Sequence, residues 1–239
     1  ATAVPEAAMP QRAPRVSVLL PARNAAKTLP IALRSALRSR GVDFEVVAVD
    51  HASSDDTCAV LARFSALGAR VRVVDAPASV DLGGALQIGL AACAAPYVAR
   101  FDADDVMHPD RLRDDVAWLD ARPHTAAVSS RVKLIPKRDA RGAFASYVAW
   151  QNAAMSADDH AREIWIEQPL CHPATTFRRS VLVDAGGFHS GVPEDYELFL
   201  RLVVAGHRLE KRPAVHHAWP RNPGQSTRFR RDALASVKA

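Results

Sequence analysis

Residues 97–105 read Tyr-Val-Ala-Arg-Phe-Asp-Ala-Asp-Asp, an apolar strand followed directly by three carboxylates at Asp102, Asp104 and Asp105. Carboxylates this close together repel one another, and partial burial at a strand end raises that cost unless a cation lies among them. Oxygen ligands suit a hard divalent ion, Mg²⁺ or Mn²⁺, which proteins commonly share with the phosphates of a substrate. The alternative is an acidic turn that caps the following helix, with Asp105 or Asp110 near its start.

On both sides of this run, short apolar strands alternate with helices of about ten residues. The pattern predicts strands over 16–20, 45–49, 71–74, 97–101 and 126–134, and helices over 28–40, 53–66, 84–94 and 109–121. Ser53 and Asp56 resemble a capping box at the start of the second helix. Such alternation is typical of a mostly parallel central sheet flanked by helices on both faces, so the predicted fold class is α/β.

Beyond residue 135 the alternation loosens. We predict helices over 143–166 and 193–205, a strand over 215–219 and a basic helix from Thr227. A single domain is therefore expected, with a disordered leader over 1–14, a nucleotide-type half over 15–135 and a C-terminal substrate half over 136–239. The last helix has no Gly or Pro stop signal, so we expect the native chain to continue.

Composition narrows the classes of protein that this chain can be. Its net charge is +5, and residues 211–239 hold seven Lys or Arg against one acid. That basic arm could meet phosphates or an anionic membrane surface, or it could be a solvated tail. Nucleic acid is not expected, because few aromatic residues are interleaved for stacking. No apolar run approaches the roughly 20 residues of a membrane span. Three scattered cysteines fit free thiols in the cytoplasm.

The polar residues follow the predicted strands, where open α/β sheets bind their ligands. The first strand is followed by residues 21–24, the second by 50–55 and the fourth by 102–105, so three polar strand ends should meet at one edge. The first turn lacks the Gly-x-Gly-x-x-Gly pattern of nicotinamide and flavin sites. No Walker lysine follows Gly83-Gly84, which excludes a P-loop as well.

Taken in order along residues 16–228, six motifs resemble the inverting family 2 glycosyltransferases of GT-A fold. They are VSVLLPARN, VDHASSDDT, ARFDADD with HPDRL, HPATTFRRS, GGF and PEDYELFLRL. The resemblance implies a metal-assisted enzyme that transfers a sugar from a nucleotide sugar, a UDP-sugar in our interpretation, to a hydroxyl of a glycan or lipid-linked acceptor. It also implies that the 136–239 half holds the acceptor.

The resemblance also implies roles for particular residues. Asp195 would be the general base, and Asp104 would bind Mn²⁺ or Mg²⁺. The implied nucleotide-binding residues are Pro21, Ala22, Asn24, Asp50, Ser53 and Asp102. Donor-sugar or supporting roles fall to Arg100, Asp105 and Glu194, and acceptor-side roles to His172, Gly186 and Gly187. We expect Arg100 to point away from Asp102, and His172 could instead be a buried structural residue.

The chain departs from the family pattern at two places. His51 and Ala52 stand where relatives carry Asp and Gly, and Asn222 stands where many carry a histidine that binds the metal. His216 and His217 could substitute for that histidine or could simply pack. Two other function classes stay open beside the enzyme: a pseudoenzyme that binds nucleotide sugars without turnover, and a basic scaffold at a membrane. A nucleotidyltransferase of related fold would need a Gly-rich, Arg-containing first loop, which PARNAA lacks.

Overall fold

A computed structural model describes residues 13–68, 70–135 and 142–220. The strands are β1 Val16–Ala22, β2 Phe44–His51, β3 Val71–Ala76, β4 Tyr97–Arg100, β5 Val106–Met107, β6 Thr125–Ile135, β7 Thr175–Arg178 and β8 Arg208–Pro220. The helices are α1 Leu29–Leu37, α2 Thr57–Ala66, α3 Leu82–Ala92, α4 Arg111–Asp120, α5 Ala143–Ala153, α6 Ala157–Glu163, α7 Arg179–Asp184 and α8 Glu194–Val204. A 3₁₀ turn, His172–Ala174, precedes β7.

The strands form one sheet in the order β3-β2-β1-β4-β7-β6-β8-β5. Strands β1 to β4 pair in parallel, as do β6 and β8, whereas β7 runs antiparallel to both of its neighbours. The predicted α/β class with a mostly parallel sheet flanked by helices is therefore confirmed. Because β7 pairs with β4, the second half of the chain extends the sheet of the first. The division into two functional halves stays a prediction.

Alternate residues of the central strands supply two cores, one on each face of the sheet. Val18 and Leu20 of β1 pack with α1, α2 and α4, while Leu19 packs with α3 and α8 on the other face. Gly89 allows α3 to lie close to the sheet, because a Cβ there would come within 2.4 Å of Leu19 Cδ1. Because both faces of the sheet are covered, the central segments Val18–Leu20 of β1 and Val46–Val49 of β2 are apolar at successive positions rather than amphipathic.

Three predicted elements differ from those observed. The predicted capping box of Ser53 and Asp56 was wrong: α2 begins at Thr57, and its N-cap Asp56 makes no side-chain cap hydrogen bond. The helix expected over 143–166 is two helices, because Ser156 and Asp159 form a capping box that starts α6. The final strand is longer than predicted, since β8 begins at Arg208 and continues to Pro220.

The basic arm was also misassigned at its start. Lys211 and Arg212 lie on β8 and are 2% and 5% exposed, so neither belongs to a solvated tail. The leader up to residue 12 and the arm from residue 221 onward, including Asn222 and the helix expected from Thr227, lie outside the described residues. Within the described ranges, none of the helices is both long and apolar enough to cross a membrane.

Candidate active site

The loops after β1 and β2 hold each other in place. Asn24 has a positive φ of 50°, and its Oδ1 accepts a hydrogen bond from the Ser54 backbone at 2.8 Å. The Asn24 backbone donates in turn to Ser53 Oγ at 3.2 Å. Pro21 and Ala22 end β1 and are buried beneath this loop. The reciprocal bonds fix the first polar strand end relative to the second.

Asp50 lies where these loops meet, and it is 6% exposed. Its Oδ1 accepts from Ser53 Oγ at 2.5 Å, and its Oδ2 accepts from the thiol of Cys58 at 2.9 Å. The hydrogen bond to Asp50 raises the pKa of Cys58, so the thiol keeps its proton and stays a donor. An open groove of about 510 Å³ is lined by Asp50, Cys58, Val73 and Asp75, among others. Sequence reasoning missed Cys58, because a lone cysteine carries no motif.

The unusual pair His51-Ala52 has a local structural explanation. The His51 ring is buried, and its Nε2 lies 2.8 Å from the carbonyl oxygen of Val80. Ala52 has a φ of 47°, in the left-handed region where glycine is favoured. A residue with a Cβ pays roughly 1–2 kcal/mol for that conformation. The loop therefore keeps the backbone shape suited to glycine although it carries alanine.

The three carboxylates after β4 form one cluster. One oxygen each of Asp102, Asp104 and Asp105 lies within 4.8 Å of the others. Asp105 is 1% exposed, and its Oδ1 has no hydrogen-bond partner among the described residues. Burial, followed by the charges of Asp102 and Asp104, raises the pKa of Asp105 well above its usual range. An oxygen-only set with one buried carboxylate, two half-buried ones and an unpartnered atom fits a divalent cation, which would relieve this repulsion.

Arg100 lies beside this cluster rather than away from it. Its Nη2 is 2.7 Å from Asp102 Oδ1, and the arginine is 2% exposed. The expected orientation was wrong because residues two apart in an extended chain point to the same face. A permanent positive charge therefore lies against Asp102, Asp104 and Asp105, which we call the first cluster.

His217 reaches the cluster from β8, far along the chain. Its Nε2 lies 2.8 Å from Asp105 Oδ2, and both side chains are buried. Burial, with the charges of Arg111 and Arg100, lowers the pKa of His217 well below its usual range. His216 instead stacks on His108 and lies 2.9 Å from Arg212 Nη2. Of the two candidate histidines, only His217 is placed against an acid of the cluster.

A buried charge network, missed by sequence reasoning, joins the two halves of the sheet. Asp115 on α4 accepts from Arg212 Nη2 at 2.7 Å and from Thr176 Oγ1 at 2.8 Å, and Arg111 Nε lies 3.4 Å away. Arg111 also donates to the carbonyl of Arg100, just before the first cluster, and to that of Pro173 in the 3₁₀ turn. Arg111 of the HPDRL motif and Pro173 and Thr176 of the HPATTF motif meet in this network, so these motif residues have a structural role.

A second cluster forms where α8 begins. One atom each of His172, Glu194 and Asp195 lies within 4.8 Å of the others. His172 is 3% exposed and Glu194 8%, while Asp195 is half-buried. The Tyr196 backbone donates to Asp195 Oδ1 at 2.8 Å, which orients that carboxylate at the helix start. His172 is thus brought close enough to the adjacent acids Glu194 and Asp195 for the three to share a proton or a cation.

The turn Gly186-Gly187-Phe188 packs beneath α8. Both glycines have positive φ, and a Cβ at Gly187 would come within 2.0 Å of Gln87 Oε1. Gln87 Oε1 accepts from the Phe188 backbone at 2.8 Å, and Arg201 Nη2 donates to the Gly187 carbonyl at 2.7 Å. The turn is therefore clamped between α3 and α8, and its expected acceptor-side role stays a prediction.

Comparison with known proteins gives concordant matches. The sequence model of Glycosyl transferase family 2 matches residues 17–185. The succinoglycan biosynthesis protein ExoO of Rhizobium meliloti is 36% identical over 119 residues, covering 50% of this chain and 34% of ExoO. TarS of S. aureus in complex with UDP-GlcNAc has a TM-score of 0.73 at 19% identity, covering 88% of this chain and 60% of that one. PcManGT, a mannosyltransferase from Pyrobaculum calidifontis with GDP-Man and Mn²⁺, has a TM-score of 0.70 at 24% identity, covering 92% and 61%.

The matched relatives are longer than this chain. An uncharacterized glycosyltransferase of Haemophilus influenzae, 27% identical over 145 residues, is covered over only 52% of its length. At 19% and 24% identity, the two solved structures establish likeness of fold.

Proposed function

The chain belongs to glycosyl transferase family 2 and has the GT-A fold, and we propose that it transfers a sugar from a nucleotide sugar to an acceptor hydroxyl with inversion at the anomeric carbon. One observation carries this proposal: the structure holds an oxygen-only cluster after β4 and a separate Glu194–Asp195 pair beside His172. Arg111 donates to the carbonyl of Arg100 near the first and to that of Pro173, the residue after His172, near the second. Such an arrangement can hold a diphosphate with one cluster and accept a proton with the other.

The donor would bind at the ends of β1, β2 and β4. Asp50 and its groove would hold the base and ribose, with Pro21, Ala22, Asn24 and Ser53 shaping the first loop and Asp102 reaching the ribose. We propose a UDP-sugar of the hexose or N-acetylhexosamine class. TarS was solved with UDP-GlcNAc, which supports this choice, whereas PcManGT was solved with GDP-Man.

A divalent cation, Mn²⁺ or Mg²⁺, would be held by Asp104 with support from Asp105. When bound, such an ion neutralises charge that develops on the diphosphate leaving group. The buried His217 would hold Asp105 in place through its 2.8 Å contact. Arg100 would orient Asp102 through its 2.7 Å ion pair.

Asp195 would act as the general base, with Glu194 and His172 beside it. A sugar hydroxyl has a pKa far above that of an aspartate, so the proton moves to Asp195 only as the new bond forms. Attack from the face opposite the leaving group then gives inversion. Asp195 is half-buried at the first turn of α8, which leaves it access to a substrate.

The acceptor class is proposed as a glycan or lipid-linked saccharide, as the polysaccharide biosynthesis name of ExoO suggests. We also propose that the protein acts in a reducing compartment such as the cytoplasm. Cys58, Cys93 and Cys171 are free thiols, which supports this.

A thermal-shift screen of UDP, GDP and their sugar conjugates, each with Mn²⁺ or with EDTA, tests the proposal. UDP should stabilise the protein only in the presence of the metal, and a UDP-sugar should then release UDP on incubation. If GDP stabilised the protein and UDP did not, the donor would be assigned as a GDP-sugar instead of a UDP-sugar. Binding without turnover, even with a glycan acceptor panel, would favour a nucleotide-sugar-binding pseudoenzyme.

A further inference from the structure

His172 is enclosed by aromatic rings from three separate elements. The centroid of its imidazole lies 6.2 Å from that of Phe177 on β7, 5.6 Å from Phe188 in the turn after α7, and 5.8 Å from Phe199 on α8. Two of these contacts are edge-on, so the rings block rotation of the imidazole. The orientation of this ring is therefore fixed by the core.

The backbone that carries His172 is fixed as well. Thr175 Oγ1 donates to the Cys171 carbonyl at 2.8 Å, and Arg111 Nη1 donates to the Pro173 carbonyl at 2.9 Å. These bonds hold the 3₁₀ turn on both sides of the histidine.

The polar edge of this fixed ring faces the second cluster. One ring nitrogen lies within 4.8 Å of a carboxylate oxygen of Glu194 and of Asp195. A hydrogen-bond donor beside a pair of carboxylates stabilises their charged forms.

We propose that His172 is the positioning residue of the general base: its imidazole places a hydrogen-bond donor beside Glu194 and Asp195 and keeps the Asp195 carboxylate aimed at the acceptor. The inference rests on the proposed function, since it assigns a role within the same site. It takes the place of the expected acceptor contact, because His172 is only 3% exposed and lies among three phenylalanine rings. Loss of the imidazole should affect the chemical step and spare donor binding.

The test replaces His172 by Phe, Gln and Asn, with Phe177→Leu as a matched control that alters the aromatic enclosure and keeps the imidazole. The assay is nucleotide release from UDP-GlcNAc and from GDP-mannose with Mn²⁺, with water as acceptor, over a range of pH. In His172→Phe we expect kcat to fall by roughly 10–100-fold with the donor KM within about twofold, since a misaimed base costs rate rather than binding.

The pH profile distinguishes positioning from structural support. Without the imidazole, the charged form of the base loses a neighbouring donor, so the acidic limb of the kcat profile should move to higher pH. Gln or Asn should restore part of kcat, and Phe177→Leu should lower Tm and leave the limb in place. An unchanged kcat in His172→Phe would overturn the proposal. So would a lower kcat whose acidic limb stays in place, or one that neither Gln nor Asn restores in part.

A second readout does not depend on turnover. In ¹⁵N-histidine spectra, with the His172 signal identified by its loss in His172→Phe, the midpoint of the imidazole titration should fall in Asp195→Asn and in Glu194→Gln. An unmoved midpoint would refute the coupling. If the parent protein turns over no nucleotide sugar while the midpoint moves, the proposed function fails and the positioning of the acids by His172 survives. Tight Zn²⁺ binding that disappears in His172→Phe would make the cluster a metal site and overturn the proposal.

Discussion

The two carboxylate clusters of this protein differ in what offsets their charge. Asp102 and its neighbours lie against Arg100, whose charge is permanent, with Arg111 close enough to influence Asp105. Glu194 and Asp195 lie against His172, an imidazole in an aromatic enclosure. An arginine cannot release its proton at any ordinary pH, whereas an imidazole can. The first cluster is thus suited to binding a group whose charge does not change, such as a metal diphosphate. The second is suited to proton transfer.

The largest expected effect comes from the second cluster. Asp195→Asn keeps the shape of the side chain and removes its basicity, so transfer to an acceptor should fall by roughly 10²–10⁴-fold. Donor affinity, measured by calorimetry with UDP and Mn²⁺, should stay near the parent value, because the base is not part of the donor cluster. Retention of transfer within a few-fold would move the base to Glu194.

The next effect concerns the buried charge network around Asp115. Asp115→Asn leaves Arg111 and Arg212 buried without their carboxylate, and breaking a buried pair in this way costs about 3–5 kcal/mol. Urea unfolding measures the loss. The matched control is Arg40→Met, which breaks an exposed pair with Asp110 and should cost less than about 1 kcal/mol. Equal costs for the two variants would show that the buried network contributes no more than a surface ion pair.

The first cluster should respond to substitution in its binding. At a hundredfold excess over its dissociation constant, UDP with Mn²⁺ should add about 2.7 kcal/mol to the parent protein. Asp104→Asn should lose most of this gain, because a metal ligand is replaced by a neutral amide. EDTA should reproduce the loss in the parent and change nothing in the variant. If the variant still gains the full metal-dependent stabilisation from UDP, another residue holds the ion.

The smallest effect concerns Lys211, a buried cation that, unlike the buried arginines, can lose its proton near neutral pH. Lys211 donates to the carbonyls of Gln151 and Pro169, and burial lowers its pKa to about 7. Between that value and the usual pKa of about 10.4, the unfolded chain binds a proton that the folded chain has released. The stability of the parent should therefore rise with pH above 7 relative to Lys211→Met, by up to about 1.4 kcal/mol per pH unit. If the urea midpoint of the parent differed from that of Lys211→Met by the same amount at pH 7 and at pH 9, the prediction would be contradicted.

The first half of the fold was the more predictable from sequence. Strands β1 to β4 and the helices between them follow a local alternation, and each polar strand end sits within a few residues of its motif. Errors arose where spatial neighbours are far apart in sequence. Lys211 and Arg212 look like the start of a basic tail by their position, yet their partners are Gln151, Pro169 and Asp115.

The sequence by itself determined the α/β class, the family and the identity of the acids, because apolar periodicity and short motifs are local properties of the chain. Only the tertiary structure decided which groups meet those acids. His217 reaches Asp105 across 112 positions, and Arg111 reaches Pro173 across 62. Such contacts depend on strand order and on β7 and β8 returning to the sheet, and the burial that shifts the pKa values of Asp105 and His217 exists only once the sheet has formed.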